Sequence, residues 1–265
     1  MTLPDNYNNF PKKKYPNKLE QNNNFLNSKT FPQSQNFLEI NCQPKAVLKV
    51  VSLIIFCLVS LSILGQLYSY LVSGERLRRL IKLFFLDAES NIPTLYSSLA
   101  LLFCGVLLAI IAKSKYQKRD KYRRYWKFLS FVFFCLGVDE SSKIHEMSIL
   151  PLRRLLNVGG FFHYAWVIPG IILFSIFALV YLKFVFSLPK NTGFLFVLAA
   201  AIFVSGALGI EMIGSKWATS ASQSTLTYAM ITIVEETLEM LGIAVFMYAL
   251  LEYMQKYVEP IKIRW

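Results

Sequence analysis

The residues best equipped for chemistry are acids placed where acids are costly. Val138 to Glu146 reads Val-Asp-Glu-Ser-Ser-Lys-Ile-His-Glu and follows directly on the apolar run Phe128 to Gly137. Two later apolar stretches carry acids as well, Glu211 in one and Glu235, Glu236 and Glu239 in the other. Ionisable groups at membrane depth are rare and usually face a bundle interior or a wet cavity, so these positions form the candidate site.

Their types and spacing define three chemistries. Carboxylates at Asp139, Glu146, Glu211, Glu235 and Glu239, with the His145 imidazole, are the hard oxygen and nitrogen donors that a divalent zinc, manganese or iron accepts. A metal-bound water there could attack an ester, amide or phosphate delivered from the lipid, with Asp139, Glu146, Glu211 and Glu235 as catalytic residues. The same acids could instead exchange a proton or cation in a transporter, with Lys143 as an internal counter-charge. In a purely structural reading, Asp139 and Glu140 pair with Lys143 at helical spacing, as in an accessory or assembly protein without catalysis. Several carboxylates that close in a low dielectric cannot all be ionised, so a proton or a cation must neutralise some of them.

The elements that position these groups are membrane-length. The chain has 265 residues, 55% of them hydrophobic, with a mean hydropathy of +0.44. Several apolar runs approach the ~20 residues that cross ~30 Å of hydrocarbon. The expected fold is all-α, a polytopic bundle with spans at about 50–72, 92–112, 125–149, 161–186, 193–213 and 226–253. A polar tail over 1–45 is expected to be disordered, since it buries too little apolar surface to offset the entropy of ordering. A six-span domain over 46–255 and a basic tail over 256–265 follow. Leu77, Leu80, Ile81 and Phe84 recur at i, i+3, i+4 and i+7, which predicts a short amphipathic helix lying in the interface.

Charge sets the expected orientation. Lys113 to Lys127 holds eight basic residues against Asp120 alone, the strongest cytoplasmic signal in the chain. Six spans then place both termini in the cytoplasm. The formal charge of +12 is concentrated in loops and tails. Without a nucleic-acid-binding motif it implies topology and no nucleic-acid partner; the expected partners are the bilayer and a lipid-like substrate or a cation. Cys42, Cys57, Cys104 and Cys135 stand singly, so neither a zinc ribbon nor a disulfide framework is indicated.

Depth and facing bring the acids together. At ~1.5 Å per residue, Asp139 lies roughly 20 Å along its span and Glu211 about 27 Å along its own. Glu235 to Glu239 lie about 14–20 Å below the outer end of the last span by the same rise. All fall in the middle-to-outer bilayer. Asp139, Ser142, Lys143 and Glu146 share one helix side, with Glu140 and His145 flanking. Tyr228, Thr232, Glu235, Glu239 and Gly242 share one side of the last span.

Two enzyme families are excluded by what is missing. Asp139-Glu140 looks like the acidic motif of the alkaline ceramidase-like superfamily, but that family's zinc is held by three histidines and this chain has His145 and His163 only. The paired Glu235-Glu236 looks like the intramembrane CAAX-type proteases, yet the downstream Arg and later histidines are absent. No G-x-S-x-G, HExxH or Walker motif occurs.

Overall fold

The computed structural model describes residues 38–39, 43–71, 81–86, 88, 91–221, 223, 225–258 and 262–263. Most of the expected disordered tail, residues 1–37 and 40–42, and the core of the expected amphipathic helix, Glu75 to Leu80, lie outside the described residues, whereas Leu38–Glu39 form a short strand and Pro44 and Lys45 already belong to the first helix. The chain divides into two units. In the smaller, Leu38–Glu39 pairs antiparallel with Lys262–Ile263, Leu38 opposite Ile263. The larger unit, Asn41–Pro260, is all-helical among the described residues.

Its helices are α1 (Pro44–Leu71), α2 (Ile92–Gln117), α3 (Arg123–Ser142), α4 (Ile144–Met147), α5 (Ile149–Leu156), α6 (Val167–Ser187), α7 (Lys190–Val204), α8 (Glu211–Ser220) and α9 (Leu226–Tyr257). Short 3-10 turns cover Lys82–Phe84 and Gly160–Phe162, and a π-helical turn, Ser205–Ile210, joins α7 to α8. Four helical stretches are long and apolar enough to cross a membrane: α1, α2, α6 and the continuous run Lys190–Ser220. This is the make-up of a membrane protein. The two remaining long helices, α3 and α9, are the ones that carry charge along their length.

Each spanning helix separates its faces by size and burial. On α1, Val51, Ile55, Leu58, Ser62 and Gly65 are buried at heptad spacing, while Leu53, Phe56, Leu64 and Leu71 point outward. Outward apolar side chains are what acyl chains solvate, so here they need no partner. α2 and α3 are joined by serine hydroxyls that reach glycine carbonyls across the interface. Ser98 Oγ donates to Gly137 O at 2.6 Å and Ser130 Oγ to Gly105 O at 2.8 Å. Small residues permit this approach: a Cβ on Gly137 would lie 2.8 Å from Leu102 Cγ.

The 32-residue α9 is the central element and packs on α1, α2, α7, the π turn and α8. Its half toward Tyr257 is sealed, with Met240, Ile243, Ala244, Met247 and Leu250 all buried. Trp126, Phe184, Phe196 and Tyr253 close that end as a ring cluster.

Asn91 begins α2. Its Oδ1 accepts the Thr94 N–H at 3.1 Å, and its Nδ2 donates to Phe85 O and Ala88 O at 2.5 and 2.6 Å. Asn91→Ala removes an N-cap and a loop clasp together. It is expected to lower stability by about 2 kcal/mol, read as a fall in the thermal midpoint of detergent-solubilised protein.

Three stretches depart from expectation. The third helix stops at Ser142 because Lys143 adopts a left-handed conformation (φ 57°), and a separate short helix follows. α6 starts at Val167, after the 3-10 turn at Gly160–Phe162, rather than at Phe161. The stretch 214–225, which separates the expected fifth and sixth spans, stays helical to Ser220, because a helix once propagated can run on past its apolar segment.

Candidate functional site

The reversal at Lys143 folds the chain back on itself. The His145 backbone N–H donates to Asp139 Oδ1 at 3.0 Å, and His145 Nδ1 lies 2.6 Å from Asp139 Oδ2. The other ring nitrogen, Nε2, stands 4.0 Å from Glu146 Oε1. The imidazole is thus held at one edge and turned toward a second carboxylate at the other. All three side chains are half-buried, Asp139 being 30% and His145 28% exposed, so the dyad can still be reached from outside.

Trp166, just before α6, links this dyad to the next element. Its ring centroid lies 4.7 Å from that of His145, and its indole N–H donates to Glu211 Oε1 at 2.9 Å. Glu211 opens α8 directly after the π turn and stands within electrostatic range of Glu235. Glu236 stands within electrostatic range of Glu140, Glu211, Glu146 and Lys143, and Glu239 within range of Glu236, Glu140 and Glu211. All seven acids singled out from the sequence therefore gather at one place, with His145 and Lys143 among them.

Close backbone contact aligns the two acid-bearing walls. A Cβ on Gly206 would lie 2.7 Å from Glu235 O and 3.1 Å from Glu239 Cγ. Gly206 is in the π turn, so that turn sits where α9 approaches closely. π turns are commonly found at functional sites.

A second polar layer lies beside the acids. Tyr164 OH is 2.8 Å from Tyr228 OH and accepts from Gln223 Nε2 at 2.6 Å. Buried Ser215 accepts the Tyr164 backbone N–H and donates to Gly160 O. Sequence reasoning placed Tyr228 on the acid-bearing stripe but did not single out Trp166 or Tyr164. The structure makes Trp166 a bridge between His145 and Glu211. It also reverses the rank of His145, expected at the flank and found at the hub, because the flanking assignment assumed an unbroken helix through Lys143.

The neighbouring His163 belongs to a different contact. The Arg153 guanidinium donates to its ring, 2.9 Å from Nδ1. Desolvation, followed by the Arg153 charge, holds His163 below the ordinary histidine range. A histidine lowered on folding adds stability that is complete above its unfolded pKa and is lost as pH falls through the folded one. Arg153→Gln is expected to move the His163 titration upward, as followed by the ring resonances in NMR.

Among the described residues, no group of three or more His, Cys, Asp or Glu side chains has the arrangement of a metal site. The convergence expected of Asp139, Glu146, Glu211, Glu235, Glu239 and His145 on one point within ligand reach is therefore not met in this structure. Instead the carboxyls engage protein donors, Asp139 on His145 and Glu211 on Trp166. Two surface grooves lie elsewhere. One, of about 410 Å³, is apolar and bounded by Leu61, Gly65, Ile81 and Phe84, and the other, of about 240 Å³, lies between Phe194 and Glu252.

The four apolar helices of membrane-crossing length are those of a helical membrane protein. Residues 50–253 match the family model described as "Domain of unknown function (DUF8692)", and the chain belongs to this family. The matched segment contains every acid of the cluster. No curated protein and no solved structure matches the chain.

Proposed function

We propose that the chain crosses the membrane six times with both termini cytoplasmic, α3 and α9 being the charge-bearing spans. We further propose that it is a hydrolase-like membrane enzyme acting on a lipid-like substrate at the acid cluster. The observation that carries this reading is the Asp139–His145 pair, 2.6 Å from carboxylate oxygen to Nδ1. A carboxylate on one imidazole nitrogen fixes the tautomer and leaves the other nitrogen to take a proton from water or to ligate a metal. In this reading Asp139 positions His145, and Glu146 stands opposite the working nitrogen. Glu211, Glu235 and Glu239 form the facing wall, which would help hold a divalent zinc, manganese or iron once the carboxyls release their present partners.

The test is metal analysis of purified wild type against Glu211→Gln and Glu235→Gln. The expected result is bound metal in the wild type and its loss in both variants. Equal, negligible metal in all three would end the metal version and leave the dyad to act as a base by itself.

A proton- or cation-coupled transporter is the second reading, favoured by the nearness of Glu211, Glu235, Glu236 and Glu239, an acidic wall of the kind that can exchange a proton or a cation. It requires a path past Met240, Ile243, Ala244, Met247 and Leu250, which are packed and apolar. Proteoliposomes loaded with a pH-sensitive dye test it directly. A cation- or proton-driven signal in wild type that disappears in Glu235→Gln would establish transport in place of hydrolysis.

A further inference from the structure

We infer that the outer face of α3 seats an anionic phospholipid of the adjacent leaflet, its phosphate on Arg124 and Lys127 and its acyl chain along Phe128, Phe131, Cys135 and Val138. These six positions fall at i, i+3, i+4, i+7, i+11 and i+14 and share one side of the helix. All are exposed: Phe128 is 52%, Phe131 61% and Val138 49% accessible, and Cys135, Arg124 and Lys127 are open as well. The stripe therefore runs from two cations through aromatic rings to aliphatic carbon, the same order of chemistry that a phospholipid presents from headgroup to tail.

The surroundings support this occupant. Among the described residues no carboxylate pairs with Arg124 or Lys127. Asp120, the one acid between Lys113 and Lys127, is already engaged by Lys115 at 3.6 Å and by the Tyr122 N–H at 2.7 Å. Two neighbouring cations are turned onto rings, Arg123 over Tyr116 and Lys121 over Tyr122, which leaves Arg124 and Lys127 as the pair at the head of the stripe. One flank is formed by α6, whose Tyr181 packs 6.4 Å from Phe128 between ring centroids and donates to Tyr125 O at 2.9 Å. Juxtamembrane Lys and Arg attract anionic headgroups, and aromatic side chains sit at headgroup level.

The inference rests on the proposal that α3 spans the bilayer, and the experiment separates the two. Full-length protein is reconstituted in phosphatidylcholine containing a minor share of phosphatidylglycerol, and the lipids retained after extraction are counted by native mass spectrometry. Wild type is expected to enrich phosphatidylglycerol. The double variant Arg124→Gln with Lys127→Gln is expected to lose affinity roughly thirtyfold, and Arg124→Lys with Lys127→Arg to keep most of it. Wild-type lipid in bulk proportion, or enrichment unchanged in the glutamine variant, would overturn the site. Displacement of the lipid by glycerol phosphate alone would reduce it to a free-phosphate site and overturn the lipid assignment. In parallel, Cys135 is probed with a water-soluble maleimide in intact proteoliposomes, with Cys42, Cys57 and Cys104 replaced by alanine. Protection with no lipid enrichment sinks the lipid site alone; free labelling sinks the spanning reading of α3, and the lipid site falls with it.

Discussion

Gly242→Val is expected to cost the bundle most of its stability and to dismantle the acid cluster with it. A Cβ at Gly242 would sit 2.7 Å from Phe203 N, 2.8 Å from Phe203 Cβ and 2.9 Å from Phe203 Cα. Two of these are backbone atoms of α7 and cannot swing aside as a flexible side chain would. Overpacking a closed interface costs about 1–3 kcal/mol, and a clash with backbone belongs at or above the upper end. The same seam continues two turns away, where Gly206 meets Glu235 O. Forcing α9 from α7 at Gly242 therefore separates Glu235 and Glu239 from Glu211. The matched control is Gly209→Ala, where an added Cβ would meet nothing within 4 Å. Its thermal midpoint in detergent should equal or exceed wild type, since alanine is the better helix former by about 1 kcal/mol. A stable Gly242→Val protein would show that the two helices are not pressed together.

Trp126→Ala is expected to be nearly as severe, with an effect at the opposite end of the molecule. Trp126 is 1% exposed, and its ring lies 5.1 Å from Phe184, 6.0 Å from Phe196 and 5.0 Å from Tyr253 between centroids. Those partners come from α6, α7 and α9, so one side chain ties three helices to α3. Removing a fully buried tryptophan leaves a cavity its neighbours cannot fill and costs about 3–5 kcal/mol. The sealed end of the bundle would loosen while the Asp139–His145 contact stays intact. The two substitutions can be told apart by whether the His145 ring resonance changes before the protein melts.

How much of this was legible in the sequence depended on the kind of signal. Apolar runs announced the spanning helices because the bilayer demands length and hydropathy, and α1, α2 and α6 needed little else. The similar depth of the acids was also legible, since it follows from counting residues, but the stripe assigned to the third span was not, because the helix breaks at Lys143. Nor was that break. A left-handed lysine carries no composition signature, unlike the glycine that normally marks such a turn. Without it His145 could not be seen folding back on Asp139. Nor could Trp166 be separated from an interfacial tryptophan, because what distinguishes it is a hydrogen bond to Glu211, 45 positions away. Nor did any residue of Ser205–Ile210 announce the irregular turn that precedes Glu211.

The π turn has a consequence for helical phase. It stores one surplus residue between α7 and Glu211, and each residue in a regular helix is worth roughly 100° of azimuth. A substitution that let Ser205–Ile210 relax to an ordinary helix without losing a residue would leave every covalent bond of the site residues intact. It would also swing Glu211 about a quarter-turn away from Trp166 and Glu235 and carry the rest of α8 round with it. Phase, as much as composition, is thus part of what the segment encodes, and one deletion that removes the surplus residue together with the turn should disturb Glu211 less than relaxing the turn at full length.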